Sequence, residues 1–434
     1  MIKQVQIIVF GSTGDLMKRK LIPAFGELMQ KGTINKDSSI IALGRREFNS
    51  KTYKDFLSEE FPENRILIES LPIEYIKLDV NVPEDFKNLA EILDKDKRPY
   101  SEIIFYLATS YELFPSIING IIHSDMKKKY GKVVLEKPFG FNGKSYKEIS
   151  EILHKVFSED KIYRIDHYIA KEAVQKMLHL KLNYEKFDKL ISNKFLDSVS
   201  IISDEEIGVG NRIEYYHKTG ALKDMVQNHL LQLLSLILLD SSLMKEKGIH
   251  EAKRIFLDSL IPSSPEKYLF GQYSSYYQAC TKTGLNHCHI ETFAMIDLMS
   301  SLQHLEGVKI NIRTGKKMPK KYIGIKLKLK EESILPEEIK GREISVNIYP
   351  EASISEPFKL PDIKMEYKDE YAYLLSEVIL SNNKYFVSNE ELVSSWKIID
   401  EIEKESSKIP FSIYKDGSYP DVESKPAGFI NEHS

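Results

Sequence analysis

Residues 5–16 read Val-Gln-Ile-Ile-Val-Phe-Gly-Ser-Thr-Gly-Asp-Leu, and the reading of the whole chain starts from them. Val5–Phe10 is apolar except for Gln6, the pattern of a parallel strand buried on both faces. Gly11-Ser12-Thr13-Gly14 follows as a tight turn. Asp15 and Leu16 open a helix that runs to about residue 31, with a bend expected at Pro23. A strand, a glycine turn and a helix start, in that order, leave unpaired backbone amides where a dinucleotide pyrophosphate would rest. G-x-x-G is less than the full G-x-G-x-x-G, and a tight strand–helix turn without a ligand carries it too.

Working outward, strand-like runs recur near 39–43, 74–78, 103–108 and 132–135, with helical stretches between most of them. That alternation predicts an open parallel α/β sheet. The second run ends in Gly44-Arg45-Arg46. Enzymes using NAD usually place an acid there to hold the ribose hydroxyls, whereas an Arg accommodates a 2′-phosphate. Arg45 therefore points to NADP, with NAD as second choice. Beyond 171 the pattern changes to long helical segments (171–183, 220–239) and then to alternating stretches at 308–313, 322–329 and 343–349. Helical spacing returns at 366–379 and 390–403, and the tail from Phe411 reads as loop. The expected fold is a Rossmann-like dinucleotide-binding domain over 1–170. An α+β domain with a large, mainly antiparallel sheet follows over 171–434.

Composition narrows the function. A chain of 434 residues is too long for one ordinary core. Its net charge of −3, with both signs interspersed, gives no nucleic-acid surface. The longest apolar stretch, 230–239, is broken by Gln232 and Ser235 and falls well short of the roughly 20 residues that span a bilayer. It reads as a buried helix, so no membrane partner is expected. Met1-Ile2-Lys3-Gln4 enters the first strand without a signal peptide, and two cysteines imply no disulfide framework. The expected location is the cytoplasm. Cys280, His287, Cys288 and His289 lack the paired spacing of a structural zinc site, so no metal is expected.

Four further segments carry chemistry. Arg164-Ile-Asp-His-Tyr-Ile-Ala-Lys171 packs a carboxylate, an imidazole, a phenol and an ammonium between a strand end and a helix start. Unpaired amides there favour an anion, and Lys171 opposes the helix dipole unless a ligand compensates it. Taken alone, the segment also reads as a charged loop with an N-cap Asp. Glu136-Lys137-Pro138 ends the fifth strand. Asp224-x-x-Gln227-Asn228-His229-x-x-Gln232 runs into the apolar 230–239 stretch. At 100° per residue Asp224 and Asn228 share a face, and His229 lies about 140° from Asp224. Arg313-Thr314-Gly315-Lys316, followed by Lys321, closes the set.

These segments resemble those of glucose-6-phosphate dehydrogenases: R-I-D-H-Y-L-G-K, E-K-P, D-x-x-Q-N-H-x-x-Q and R-T-G-K-x-x-x-x-K. Glu291-Thr292-Phe293 and Tyr414-Lys415-Asp416-Gly417-Ser418 resemble the family's T-E-T-F and Y-x-x-G-S, so the likeness runs from Val5 to about Pro420. The resemblance implies oxidation of glucose 6-phosphate at C1 to the 6-phosphogluconolactone by a soluble homodimer or homotetramer. That is the first step of the oxidative pentose phosphate pathway. It assigns His229 as base and Asp166 as the carboxylate behind it; an imidazole titrating near neutrality suits removal of the hydroxyl proton. It gives His167, Tyr168 and Lys171 the sugar phosphate, and Glu205 and Asp224 the hydroxyls. Lys20, Lys316 and Lys321 add cations, and Lys137 lies at the junction of sugar and nicotinamide, beside a proline that is often cis. Gly11, Ser12, Thr13, Gly14, Asp15, Leu16 and Arg45 would hold the dinucleotide.

The chain departs from the family at four places. Ser110-Tyr111 replaces a double proline, Leu302-Gln303-His304-Leu305 replaces N-W-R-W, and Ala42 stands where Gly is usual. The chain is also short in its C-terminal half. Rival readings are an inositol dehydrogenase-type sugar oxidoreductase, which spaces its Asp and His as D-x-x-x-H, and a non-catalytic NADP-sensing relative, which tends to lose the base or its carboxylate.

Overall fold

The computed structural model describes residues 4–124, 126, 131–335, 339, 341–363 and 365–420. It divides into two compact units, Met1–Ala170 with Lys364–Asn389, and Lys171–Ile363 with Glu390–Ser434.

Among the described residues of the first unit, six strands form one parallel sheet: β1 Val5–Phe10, β2 Ser39–Gly44, β3 Ile73–Lys77, β4 Glu102–Leu107, β5 Lys132–Leu135 and β6 Ile162–Arg164. Their order is β3-β2-β1-β4-β5-β6. β1 is central because it is apolar on both faces, and every residue of β1 and β2 is buried. The chain therefore reverses direction across the sheet between β1 and β4, the usual ligand crevice of such folds. The first helix carries a wide turn ahead of Pro23. Pro23 brings no amide hydrogen, and the turn Met17–Leu21 ahead of it is a π-turn in which the Ile22 amide reaches back to the Met17 carbonyl.

One segment expected in the second domain packs in the first unit. The helix Glu370–Ile379 starts on Asp369, whose carboxylate accepts the Tyr371 and Ala372 amides at 2.8 and 3.0 Å. Its Leu374, Leu375, Val378 and Ile379 are fully buried against Leu21, Phe25 and Leu28 in the core above the sheet. Buried Lys132 of β5 donates to the Val378 carbonyl at 2.6 Å. The unit thus recruits an apolar helix face from two hundred residues downstream, where sequence order gives no hint of it.

The second unit is built on a large mixed sheet, as expected. Its strands are β7 Leu196–Asp204, β8 Leu260–Pro262, β9 Leu269–Tyr273, β10 Phe293–Ser300, β11 Lys309–Gly315, β12 Tyr322–Leu329, β13 Glu343–Tyr349, β14 Ser353–Ile354 and β15 Phe411–Tyr414. The order is β14-β13-β12-β7-β11-β10-β9-β15, with β8 also on β10. β7 with β11 and β9 with β15 are parallel, and the other pairs are antiparallel. Two expectations change here. Within the tail expected as loop, Phe411–Tyr414 is a strand, because β9 supplies its hydrogen-bonding partner, and 421–434 lie outside the described residues. The single helix expected over 220–239 is three pieces: Ile213–Ala221, kinked at Gly220 (φ +58°), a π-helix Leu222–Leu230, and an α-helix Leu231–Leu238.

The expectation of unpaired cysteines is also corrected. Cys280, buried at the end of the helix Ser275–Thr281, and Cys288 form a disulfide with their Cα atoms 5.8 Å apart. The intervening turn brings them within bonding reach, a closeness that two cysteines in a long chain do not announce. Among the described residues no helix is long and apolar enough to cross a membrane.

Replacing a fully buried Leu by Ala costs about 2–5 kcal/mol. Leu375→Ala should therefore lower stability by that amount in urea unfolding. A change below about 1 kcal/mol would show that this helix does not share the first unit's core.

Candidate active site

In the first unit, the turn after β1 is held by its neighbours. The Ser12 amide donates to Leu43 O at 3.0 Å, the Gly14 amide to Gly11 O at 3.0 Å, and buried Tyr53 donates its hydroxyl to Ser12 O at 2.8 Å. Gly11 has φ +82°, and a Cβ there would lie 2.4 Å from the Ala108 carbonyl oxygen. Only glycine fits so close to the end of β4. This turn opens a cavity of about 430 Å³ at the crevice between β1 and β4, lined by Gly11, Thr13 and Gly14 and by the ends of β2 and β4. Arg45 is the one charged residue in its lining. Asp15 and Leu16 open the helix beside it, with Asp15 exposed 3.8 Å from Arg19. A cradle of backbone, room for a nucleotide and a lone cation suit a dinucleotide with extra negative charge.

Lys137 is half-buried and joined to Pro138 by a cis peptide bond. Glu136 beside it accepts the hydroxyl of fully buried Tyr106. Desolvation, with a smaller push from Asp166, raises the Glu136 carboxyl to about 7. Asp166 itself is buried, and its carboxylate accepts the Tyr168 amide at 3.0 Å while its carbonyl accepts the Ile169 amide at 3.1 Å. This tight turn at the end of β6 presents the half-buried His167, whose ring lies 5.1 Å from that of Tyr168. Ala170, in place of the usual Gly, is buried in the core. Lys20 is exposed, with its ammonium 5.7 Å from the Tyr371 ring.

In the second unit, β7 and β11 run parallel with Gly315 opposite Asp204. The next residues, Glu205 and Lys316, therefore leave the sheet side by side and form an ion pair. Lys316 is also 3.9 Å from Asp224, which lies on the π-helix Leu222–Leu230 and is buried. Hydrogen bonding from i to i+5 sets residues five apart about one turn from each other. Asp224 and His229 thus stand on successive turns, and the 140° separation expected from α-helical periodicity does not apply. His229 is buried; its amide donates to Asn228 Oδ1 at 2.7 Å, and the Asn228 side chain donates to Lys223 O at 3.0 Å. Lys171 forms the N-cap of the helix Glu172–Asn183 without a side-chain cap bond. The Lys321 ammonium lies 3.9 Å from the Tyr349 ring centroid.

Glu205, Asp224, Lys316 and the helix of His229 are thus brought together, and the sequence reading missed two of their neighbours. Tyr215 donates its hydroxyl to Asp224 at 3.3 Å, and Arg212 reaches the same carboxylate at 3.6 Å while covering the Tyr215 ring. The kink at Gly220 lies between them and Asp224, so no helical spacing could link them. Arg313, by contrast, is turned to structure: it pairs with buried Asp204 at 2.7 Å.

Residues 8–176 match the family of the glucose-6-phosphate dehydrogenase NAD-binding domain, and residues 178–427 that of the glucose-6-phosphate dehydrogenase C-terminal domain. The chain is 31% identical to the glucose-6-phosphate 1-dehydrogenase of Borreliella burgdorferi, with 96% of this chain and 95% of the relative covered. It is also 31% identical to that of Helicobacter pylori strain J99, with 91% of each covered. A solved glucose-6-phosphate dehydrogenase in complex with its substrate glucose 6-phosphate shares the fold at a TM-score of 0.84 and 23% identity, over 96% of both chains.

The raised Glu136 carboxyl carries a pH signature. It is protonated in the folded chain and ionised in the unfolded one between about 4.5 and 7, so its contribution is present below that window and is lost as pH rises through it. With residual solvent access allowed for, the linked free energy is on the order of 2 kcal/mol. In urea unfolding, Glu136→Gln should therefore gain about that much relative to wild type between pH 5 and pH 8. A constant difference would mean that Glu136 is ionised throughout.

Proposed function

The chain belongs to the glucose-6-phosphate dehydrogenase family, and on that premise we propose that it oxidises glucose 6-phosphate at C1 to 6-phosphogluconolactone, with NADP as the hydride acceptor. The observation that carries this reading is the meeting of Glu205, Lys316 and Asp224 at the helix that buries His229. Polar groups of both signs at a helix that carries a buried imidazole suit a neutral polyhydroxyl ring with an anionic end. The dinucleotide, when bound, supplies the hydride acceptor.

In this reading His229 takes the C1 hydroxyl proton as the hydride departs, and Asp166 acts with it by fixing the tautomer and stabilising the imidazolium. Glu205 and Asp224 hold sugar hydroxyls. His167, Tyr168 and Lys171 hold the phosphate, and Lys20, Lys316 and Lys321 supply further positive charge. Lys137 lies at the nicotinamide end of the sugar. Gly11 to Leu16 cradle the pyrophosphate, and Arg45 takes the 2′-phosphate through charge-assisted hydrogen bonds. The first unit is then the NADP-binding domain, and the second serves substrate binding and assembly into a homodimer or homotetramer in the cytoplasm. Asp224 and His229 are five apart and Asp166 precedes His167 and Tyr168, which favours this reading over an inositol dehydrogenase-type enzyme.

Purified protein with glucose 6-phosphate and NADP should raise the absorbance of reduced cofactor; equal turnover of free glucose would sink the phosphate assignment. His229→Asn should cost at least roughly 10²–10⁴ in kcat with little change in substrate binding. Asp166→Asn should also depress kcat, and the double variant should be little worse than His229→Asn alone, because coupled residues act as one unit. Additive losses would separate the two residues. For the cofactor, Arg45→Ala should raise the KM for NADP far more than that for NAD. A wild-type enzyme that already prefers NAD would overturn the assignment of Arg45.

A further inference from the structure

The base-bearing π-helix begins at a joint that should be loose. Gly220, immediately before it, has φ +58° and ψ −173°, a backbone state that breaks the helix Ile213–Ala221 from the π-helix Leu222–Leu230. Glycine costs more conformational entropy to fix than any other residue, so a joint of this kind holds its angle only where neighbours over-determine it. Here the neighbour is one residue of a different segment, Glu291, two residues ahead of β10.

Glu291 grips the joint from three directions. Its carbonyl accepts the Ala221 amide at 2.9 Å, and its carboxylate Oε1 accepts the Leu222 amide at 3.2 Å. The carboxylate also fills the space above Gly220, where a Cβ would lie 2.0 Å from Oε1. Ala221 is the N-cap of the π-helix and Leu222 its first residue, and the Leu222 amide is shared between Glu291 and the Thr219 carbonyl of the preceding helix. The following residue, Thr292, extends the grip to the second wall of the site, since its carbonyl accepts the Lys316 amide at 2.9 Å. Thr292 is itself fixed by its amide bond to Gly271 O at 2.7 Å and by the Tyr273 amide, which donates to its hydroxyl at 2.9 Å.

We infer that Glu291 is a positioning residue for the proposed base, setting the angle at which the helix carrying Asp224 and His229 leaves Gly220 and tying it to the strand end that carries Lys316. This inference rests on the reading of His229 as base. Glu291 touches neither sugar nor cofactor in this role; it acts through the helix. A displacement of about 1 Å at a reacting group can cost on the order of a hundredfold in rate, so a modest swing of this joint is enough to be seen.

The test compares Glu291→Leu, Glu291→Gln and His229→Asn in the full chain, with kcat and the KM for NADP and glucose 6-phosphate measured for each. Leu keeps the volume above Gly220 and removes the Glu291 carboxylate from the Leu222 amide, which is left with the Thr219 carbonyl of the preceding helix alone, while replacing a partly buried carboxyl by an apolar group that favours folding. Glu291→Leu should lower kcat by about tenfold or more, with the KM for NADP, a property of the first unit, within about twofold of wild type. Glu291→Gln retains an acceptor at the same place and should return kcat to within about threefold of wild type. An unchanged kcat in Glu291→Leu, or a Gln variant as slow as the Leu variant, would overturn the positioning role. So would parallel losses in kcat and NADP affinity, which mark general loosening. If His229→Asn is inactive while Glu291→Leu turns over normally, the base reading stands and the positioning role alone falls. If His229→Asn turns over like wild type, the base reading falls and takes this inference with it.

Discussion

The parallel pairing of β7 with β11 is the constraint on which the polar end of the second unit depends. In a parallel pair both strands finish at the same edge, and the register that sets Gly315 opposite Asp204 delivers Lys316 and Glu205 together. A charge withdrawn from water needs a partner, and each supplies the other's. Asp224, the third charge, is satisfied by Lys316, Tyr215 and Arg212 at once. The sheet therefore fixes where these charges stand, and the π-helix adds to the arrangement. Its wider turn puts Asp224 and His229 one turn apart, where an α-helix would have set them on different faces.

The first unit works under a different constraint, contact distance. A strand buried on both faces leaves no room for side chains where its end meets the next strand, and Gly11 is tolerated within reach of Ala108 O because it has none. The turn can then present backbone amides to an anion, and the strand order opens a cavity at the same place. Among the described residues that line this crevice, Arg45 alone is charged. Glu136, hydrogen-bonded to Tyr106 and with its carboxyl raised by burial to about 7, is mostly protonated below that pH and there adds no second negative charge near Asp166.

Wherever the controlling interaction is local, the sequence by itself determined it. Periodicity alone marks β1, the glycine turn and the helix after it, because burial on both faces and a tight turn leave their signature in adjacent residues. Arg45 and the Asp166–Lys171 cluster stood out as candidates through their own chemistry at the ends of β2 and β6, and Lys137 and the Asp224–His229 run through the family resemblance.

Only the tertiary structure decided the rest, and each case turns on a partner distant in sequence. The helix Glu370–Ile379 joins the first unit because its apolar face meets a core made by residues near the N-terminus. Phe411–Tyr414 becomes a strand because β9 has a free edge to pair with. Cys280 meets Cys288 through the turn between them, and Tyr215, Arg212 and Glu291 reach the Asp224 helix across the kink at Gly220. A residue's own pattern states what it can bury or bond. Which group it finds is set by how far-separated segments pack, and that information exists only once the chain has folded.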